Sequence, residues 1–208
     1  MMDNFHEFGD RLTASEAVAD WIARTLTEAL GGSESASLVV SGGSTPMHCF
    51  GALSQTPLDW SRVSVFLSAE RCVPPDHGDS NEAMVRRTLA TGEAARAEVV
   101  PVYREGLDVN GMCEALDRRL AAEPAPFASV LLGMGADMHT ASLFPGSPDL
   151  PAALSSDAPP LMMVDASEGL EPRITLTAPV LAGAINTHIL IAGDDKKTAA
   201  EAASKLSP

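Results

Sequence analysis

Four short stretches of this 208-residue chain carry residue types that could bind an anion or move a proton. The first is Ser41-Gly42-Gly43-Ser44-Thr45, which follows an apolar run and precedes Pro46. Two glycines permit positive φ and close backbone approach, and a helix starting behind them offers free N–H groups and the positive end of a dipole. That combination suits a phosphate, although a tight strand-to-helix turn with a cap would use the same residues. The second stretch is Glu70-Arg71-Cys72, continuing through Asp76-His77 to Ser80-Asn81. Arg71 is permanently charged and can grip an anion with two donors, or form a surface ion pair with Glu70 or Asp76. Cys72 reads as a small buried hydrophobe, because no histidine is placed in sequence to activate it.

The third stretch is Gly133-Met134-Gly135-Ala136-Asp137-Met138-His139-Thr140-Ala141-Ser142. Neutral imidazole is the best general base available near pH 7, and His139 lies here on a glycine-containing loop. A lone histidine is more often structural than catalytic. A Ser142/His139/Asp137 triad would call for a G-x-S-x-G elbow, and the sequence has none. The fourth pairs Arg173 with Gly193-Asp194-Asp195-Lys196-Lys197. Lys196 falls in the first turn of a helix, where a cation costs a few tenths of a kcal/mol to ~1 kcal/mol. An anion bound there would reverse the sign; Asp194 and Asp195 could offset the cost as well. His6, His48, His77 and His188 lack ligand spacing, and no zinc or calcium motif occurs, so a required metal is not indicated.

The elements that must position these residues alternate. Thr13 and Glu16 have capping-box spacing before a helical apolar pattern that runs to Leu30 and stops at Gly31-Gly32. Leu38–Val40 is a short buried strand, followed by a helix with Thr45 as its cap and Pro46 in its first turn. Val63–Leu67 is the second strand, and Ser80 caps a helix reaching about Leu89. Then come a weak strand at Val99–Val102, a helix from Val109 to Ala122 and a strand at Ser129–Leu132. Phe144–Pro160 reads as a long surface loop, Leu161–Val164 as a strand, and Arg173–Thr177 as a half-exposed alternating strand. Thr177 can cap a helix toward Ala184, His188–Ala192 is a buried strand, and Asp194–Leu206 is a helix. Strands separated by helix-length segments imply βαβ units and a mostly parallel sheet, in one domain over residues 1–208. Ligands on such sheets gather beyond the carboxyl ends of the strands, where all four stretches fall.

Composition narrows the partners. With 28 acidic and 14 basic residues the net charge is -14, which repels phosphate backbones and argues against nucleic acid. Screening over about 8 Å still lets a few local cations bind a small anion. Hydrophobic residues make up 45% and charged residues 20%, which argues for an ordered chain. No apolar run approaches the ~20 residues of a membrane helix. The start, Met1 to Glu7, lacks the cationic and apolar regions of a signal peptide, and three cysteines fit a reduced, cytoplasmic compartment.

Taken together, these stretches resemble the 6-phosphogluconolactonase family, within the larger group that includes glucosamine-6-phosphate isomerase/deaminase. The matching residues are SGGSTP at Ser41–Pro46, Glu70-Arg71 with Val73, Asp76-His77 with Asp79-Ser80-Asn81, LLGMGAD at Leu131–Asp137, HTASLFPG at His139–Gly146, RITLT at Arg173–Thr177 and G-x-x-K at Gly193–Lys196. They stand in family order over most of the chain. The resemblance implies a three-layer, Rossmann-like α/β fold with helices on both faces of a mostly parallel sheet. It implies a phosphate site from Ser41, Gly42, Gly43, Ser44, Thr45 and Lys196, with further positive charge from Arg71 and Arg173. His139 matches the family's general base, and Asp137, two residues away, would orient the imidazole or shape the loop. The implied reaction is cofactor-free hydrolysis of 6-phospho-D-glucono-1,5-lactone to 6-phosphogluconate in the oxidative pentose phosphate pathway, by a monomer or small homo-oligomer.

Three positions depart from the family pattern. Ala69 stands where an Asp usually precedes Glu-Arg, and Met138 stands where a Gly usually separates Asp from His. Positive φ at Met138 would cost ~1 kcal/mol or more. The chain ends at Pro208, soon after the last helix, where relatives usually continue into another apolar segment. Two alternatives follow: a sugar-phosphate isomerase or deaminase, and a non-catalytic sugar-phosphate sensor. The former usually carries Glu where this chain has Phe144, so hydrolysis is the expectation.

Overall fold

The computed structural model describes residues 5–164 and 171–205. Helix α1 (Arg11–Gly32) begins three residues earlier than the Thr13 cap implies. The carboxylate of Asp10 accepts from the Thr13 N–H at 2.8 Å, so Asp10 is the cap and Thr13 lies in the first turn. Strand β1 (Ala36–Val40) is followed by α2 (Met47–Leu53), and β2 (Val63–Leu67) by β3 (Ala69–Arg71) and α3 (Asn81–Thr88). Thr45 does not cap α2: Pro46 occupies that position, already helical and without a side-chain cap bond. The weak strand shrinks to two residues, β4 (Glu98–Val99). Then come α4 (Val109–Ala121), β5 (Ser129–Leu132) and α5 (Leu150–Leu154), the last a short helix inside what reads as loop. The chain continues through β6 (Leu161–Val164), β7 (Arg173–Leu176), α6 (Ala178–Ala182), β8 (Asn186–Ile189) and α7 (Asp194–Ala203). Leu206, the expected end of the last helix, lies outside the described residues.

Five strands form one wholly parallel sheet in the order β4-β2-β1-β5-β8. Strands β1, β2 and β5 are buried along their whole length, which is why they read as apolar runs. The chain order runs outward from β1 to β4, then returns through α4 to β5 and β8. Right-handed crossovers therefore put α2 and α3 on one face and α4 on the other. Arg119 of α4 bonds Ser64 Oγ at 3.0 Å and lies over the Phe66 ring, so α4 covers the Ser64/Phe66 face of β2.

Strands β6 and β7 do not join this sheet. With β3 they make a separate antiparallel sheet in the order β3-β7-β6. Ser68 is the junction: its N–H donates to Val40 in the large sheet at 2.8 Å, and its carbonyl accepts from Leu176 of β7 at 2.9 Å. Thr175 is buried rather than half-exposed, because its hydroxyl accepts the Ser142 N–H at 3.2 Å. Thr177 precedes α6 without capping it; its hydroxyl donates to Pro159 O at 2.7 Å.

The strand expected at His188–Ala192 lies two residues earlier and is an edge strand, not a buried one. Its one half-buried side chain is His188, which stacks on Trp21 with ring centroids 5.9 Å apart. Burial holds that imidazole below its ordinary value. The unfolded chain then binds the proton first on acidification, so stability is full above the ordinary imidazole value of about 6.5 and is lost as pH falls toward the lowered folded value. His188→Phe keeps the stack and removes the titration. Thermal melts at about pH 7.5 and about pH 5.5 should differ less for the variant than for the wild type.

Candidate active site

The site lies where the connections diverge, beyond the ends of the neighbouring strands β1 and β5. Ser41–Thr45 leaves β1 there and Gly133–Gly135 leaves β5. A cleft of about 570 Å³ is lined by both loops, by β3, by the start of α3, and by His139, Ser142, Arg173 and Lys196. Nine of the ten expected site residues line it; Asp137 stands behind His139.

The two glycines of the first loop serve different purposes. Gly43 takes φ +88°, the left-handed region that favours glycine. Gly42 gives room instead: a Cβ there would fall 2.0 Å from Asn81 Oδ1. Ser41 is buried and its hydroxyl has no partner among the described residues; the same holds for the buried atoms Ser142 Oγ and Arg173 Nε, all three at the cleft. Buried polar atoms left open around one concavity are what a polar ligand would satisfy.

His139 Nδ1 lies 2.6 Å from Asp137 Oδ1. The loop between them is a turn rather than extended: Met138 N–H donates to Gly135 O at 3.0 Å, and Gly135 N–H to His139 O at 2.9 Å. Met138 has φ +72°, so the departure from glycine carries its strain. Gly135 is required by contact, since a Cβ would sit 2.3 Å from both Asp137 Oδ1 and His139 Nδ1. Partial burial pushes the Asp137 carboxyl up, but hydrogen bonds from the His139 ring and backbone hold it below its ordinary range. A carboxylate on Nδ1 leaves that nitrogen protonated and Nε2 with the free lone pair.

Four cations, Arg71, Arg87, Arg173 and Lys196, line the cleft against two carboxylates, Glu70 and Asp79, so the acidic surface is locally reversed. Arg71 and Arg173 are directly opposite in the β3–β7 register. Burial, and then the neighbouring Arg71, lower the Arg173 value. Like charges so placed repel until an anion lies between them. Arg71 makes neither expected ion pair among the described residues; its Nη1 donates to Asp79 O at 2.8 Å. Lys196 donates to Met134 O at 2.9 Å rather than to Asp194 or Asp195. Burial pushes the Cys72 thiol up to about 11, so it stays protonated and unreactive.

Sequence reasoning missed four contributors. Asn81 and Glu70 stood within recognised stretches without a role, and Arg87 carried no signal beyond its charge. Arg11 also reaches the first loop from α1, donating to Ser44 O across a sequence gap that no local pattern reveals.

The comparisons agree with this architecture. The sequence profile described as "Glucosamine-6-phosphate isomerases/6-phosphogluconolactonase" matches residues 9–208. The 6-phosphogluconolactonase of Rhizobium meliloti is 40% identical over 198 residues, covering 95% of this chain and 85% of that one. That of Pseudomonas aeruginosa is 39% identical, covering 94% and 83%. The crystal structure of a 6-phosphogluconolactonase from Shewanella baltica superimposes with a TM-score of 0.88 at 33% identity, covering 94% of this chain and 84% of that one. With the profile spanning nearly the whole chain and relatives this similar, the chain belongs to the glucosamine-6-phosphate isomerase/6-phosphogluconolactonase family.

Proposed function

We propose that this cleft hydrolyses 6-phospho-D-glucono-1,5-lactone to 6-phosphogluconate, with His139 as general base. Ser41, Gly42, Gly43, Ser44, Thr45 and Lys196 hold the phosphate, and Arg71 and Arg173 add positive charge. The observation that carries the reading is the Asp137–His139 pair, 2.6 Å apart, at the edge of a cleft whose charge is reversed relative to the rest of the chain. The relatives named above, all 6-phosphogluconolactonases, support it.

A δ-lactone is already an activated ester, so little is asked of the protein. Nε2 of His139 takes a proton from water as its oxygen bonds to the lactone carbon. The tetrahedral oxyanion finds donors in the loop N–H groups or Arg71. The carbon–ring-oxygen bond then breaks, and the ring oxygen recovers the proton from the imidazolium. Asp137 orients the imidazole and keeps the tautomer. Binding the distant phosphate turns remote affinity into orientation at the carbonyl. An isomerase's proton shuttle would need an acid where Phe144 packs, its ring 4.7 Å from the imidazole. The three free thiols fit a reducing, cytoplasmic setting, and one chain, as a monomer or in a small homo-oligomer, supplies every group invoked.

His139→Ala should lower kcat by about 10²–10⁴-fold while 6-phosphogluconate still binds. Unchanged turnover above spontaneous opening would rule the base out. Because Asp137 is held below its ordinary range, it stays ionised at mildly acidic pH. Asp137 should therefore add no limb of its own to the mildly acidic side of the pH profile, and a double-slope limb there would contradict this. Gluconolactone without the phosphate should be opened poorly in a pH-stat assay corrected for the uncatalysed rate. Equal kcat/KM for both lactones would contradict anchoring.

A further inference from the structure

Glu70 has no part in the chemistry above, yet its side chain is a carboxylate in a residue only 2% exposed at the wall of the cleft. Its Oε1 accepts from the N–H of Arg71 at 2.8 Å and of Asn81 at 3.0 Å. Its Oε2 accepts from the N–H of Glu82 at 2.6 Å and from Ser80 Oγ at 3.2 Å. Three of these partners are backbone N–H groups, which can only donate. Only Ser80 Oγ could accept from a neutral acid, whereas the anion accepts from all four, at the N-terminal end of α3 where the helix dipole favours it. Burial holds the carboxyl above its ordinary range, and the same four donors offset that only in part.

The consequence reaches the phosphate loop through one residue. Asn81 is fixed at its backbone by Glu70 and at its side chain by the bond from Nδ2 to Ala69 O, 2.9 Å long. Its amide lies against Gly42, where an added Cβ would meet Oδ1 at 2.0 Å and Cγ at 2.3 Å. The end of a side chain normally swings clear of such a neighbour. This one cannot do so without giving up its bond to β3, and its backbone is held by a carboxylate that also fixes Arg71.

We infer that Glu70 is a positioning residue for the phosphate-binding loop: through Asn81 it sets where Gly42 stands relative to Arg71, and so tunes affinity for the phosphate end of a sugar-phosphate ligand. The inference rests on the reading of the cleft given above, in which Ser41–Thr45 holds the phosphate.

The test measures binding of 6-phosphogluconate and of gluconate by titration calorimetry, alongside thermal melts. Glu70→Gln keeps the shape but sets an amide N–H against backbone donors. It should weaken 6-phosphogluconate by about tenfold or more while gluconate changes little, so that the ratio of the two affinities falls. A residue that merely stabilises the fold would lower the melting temperature and leave that ratio alone, which would overturn the inference. Should Glu70→Gln fail to fold, a second pair decides. Gly42→Ala should weaken 6-phosphogluconate about tenfold, and adding Asn81→Ala, which removes the obstructing amide, should restore much of that loss. A Gly42→Ala protein that binds like wild type, or a double variant no better than Gly42→Ala alone, would refute the coupling. Neither probe is turned over, so a wild type that binds 6-phosphogluconate but opens no lactone sinks the proposed reaction and leaves these ratios to judge Glu70. A wild type with no affinity for 6-phosphogluconate overturns both.

Discussion

The divergence of the chain on either side of β1 and β5 is the constraint from which the site follows. Two adjacent parallel strands end side by side, and their connections leave toward opposite faces of the sheet. No backbone fills the space between, so the loops leaving those strands must line a concavity. In this chain the loops are Ser41–Thr45 and Gly133–His139, and everything else at the cleft is brought to them. Ser68 does most of the bringing. By bonding Val40 on one side and Leu176 on the other, it carries the chain from the large sheet into the small one, and so sets Arg71 across from Arg173.

That arrangement is costly without a ligand, and the cost is informative. Two guanidinium groups opposite one another in a strand pair repel, and Arg173 is partly buried as well. Ser41 Oγ, Ser142 Oγ and Arg173 Nε lack partners among the described residues at the same cleft. A stable fold tolerates a few such groups, and their convergence on one concavity is better explained by function than by packing. A dianion with hydroxyl groups along a short chain would satisfy the charges and the orphaned polar atoms together.

Much of this was legible in the sequence, for identifiable reasons. The three inner parallel strands are buried on both faces and announce themselves as Leu38–Val40, Val63–Leu67 and Ser129–Leu132. Ser80 caps α3 as its type suggests, accepting from Ala83 N–H at 3.1 Å. The small sheet was not legible, because β3 is three residues of mixed polarity whose partners lie about a hundred residues away. Nor was the edge position of β8: an Ile-rich segment looks buried until its neighbours are known. Glu70 escaped notice because an acidic residue beside an arginine suggests an ion pair, whereas its oxygens turn inward to backbone N–H groups. Which way a side chain faces is decided by the helix that α3 presents to it, and local spacing carries no trace of that.

The Asp137–Met138–His139 turn shows why a rule broken locally need not count against a functional reading. Positive φ at Met138 costs on the order of 1–3 kcal/mol. A relaxed, extended loop would avoid that strain, and it would also alternate side chains and fix neither carboxylate nor ring. The turn that Met138 strains is closed by two backbone hydrogen bonds to Gly135, and it brings Oδ1 within 2.6 Å of Nδ1. Gly135 must then lack a side chain, since the pair occupies the space a Cβ would take. Strain at one residue and emptiness at another are thus two sides of one geometric demand, that an imidazole on a loop be held in one tautomer facing one direction. Methionine at the strained position weakens the fold somewhat without altering the demand, which is why the pair survives the substitution intact.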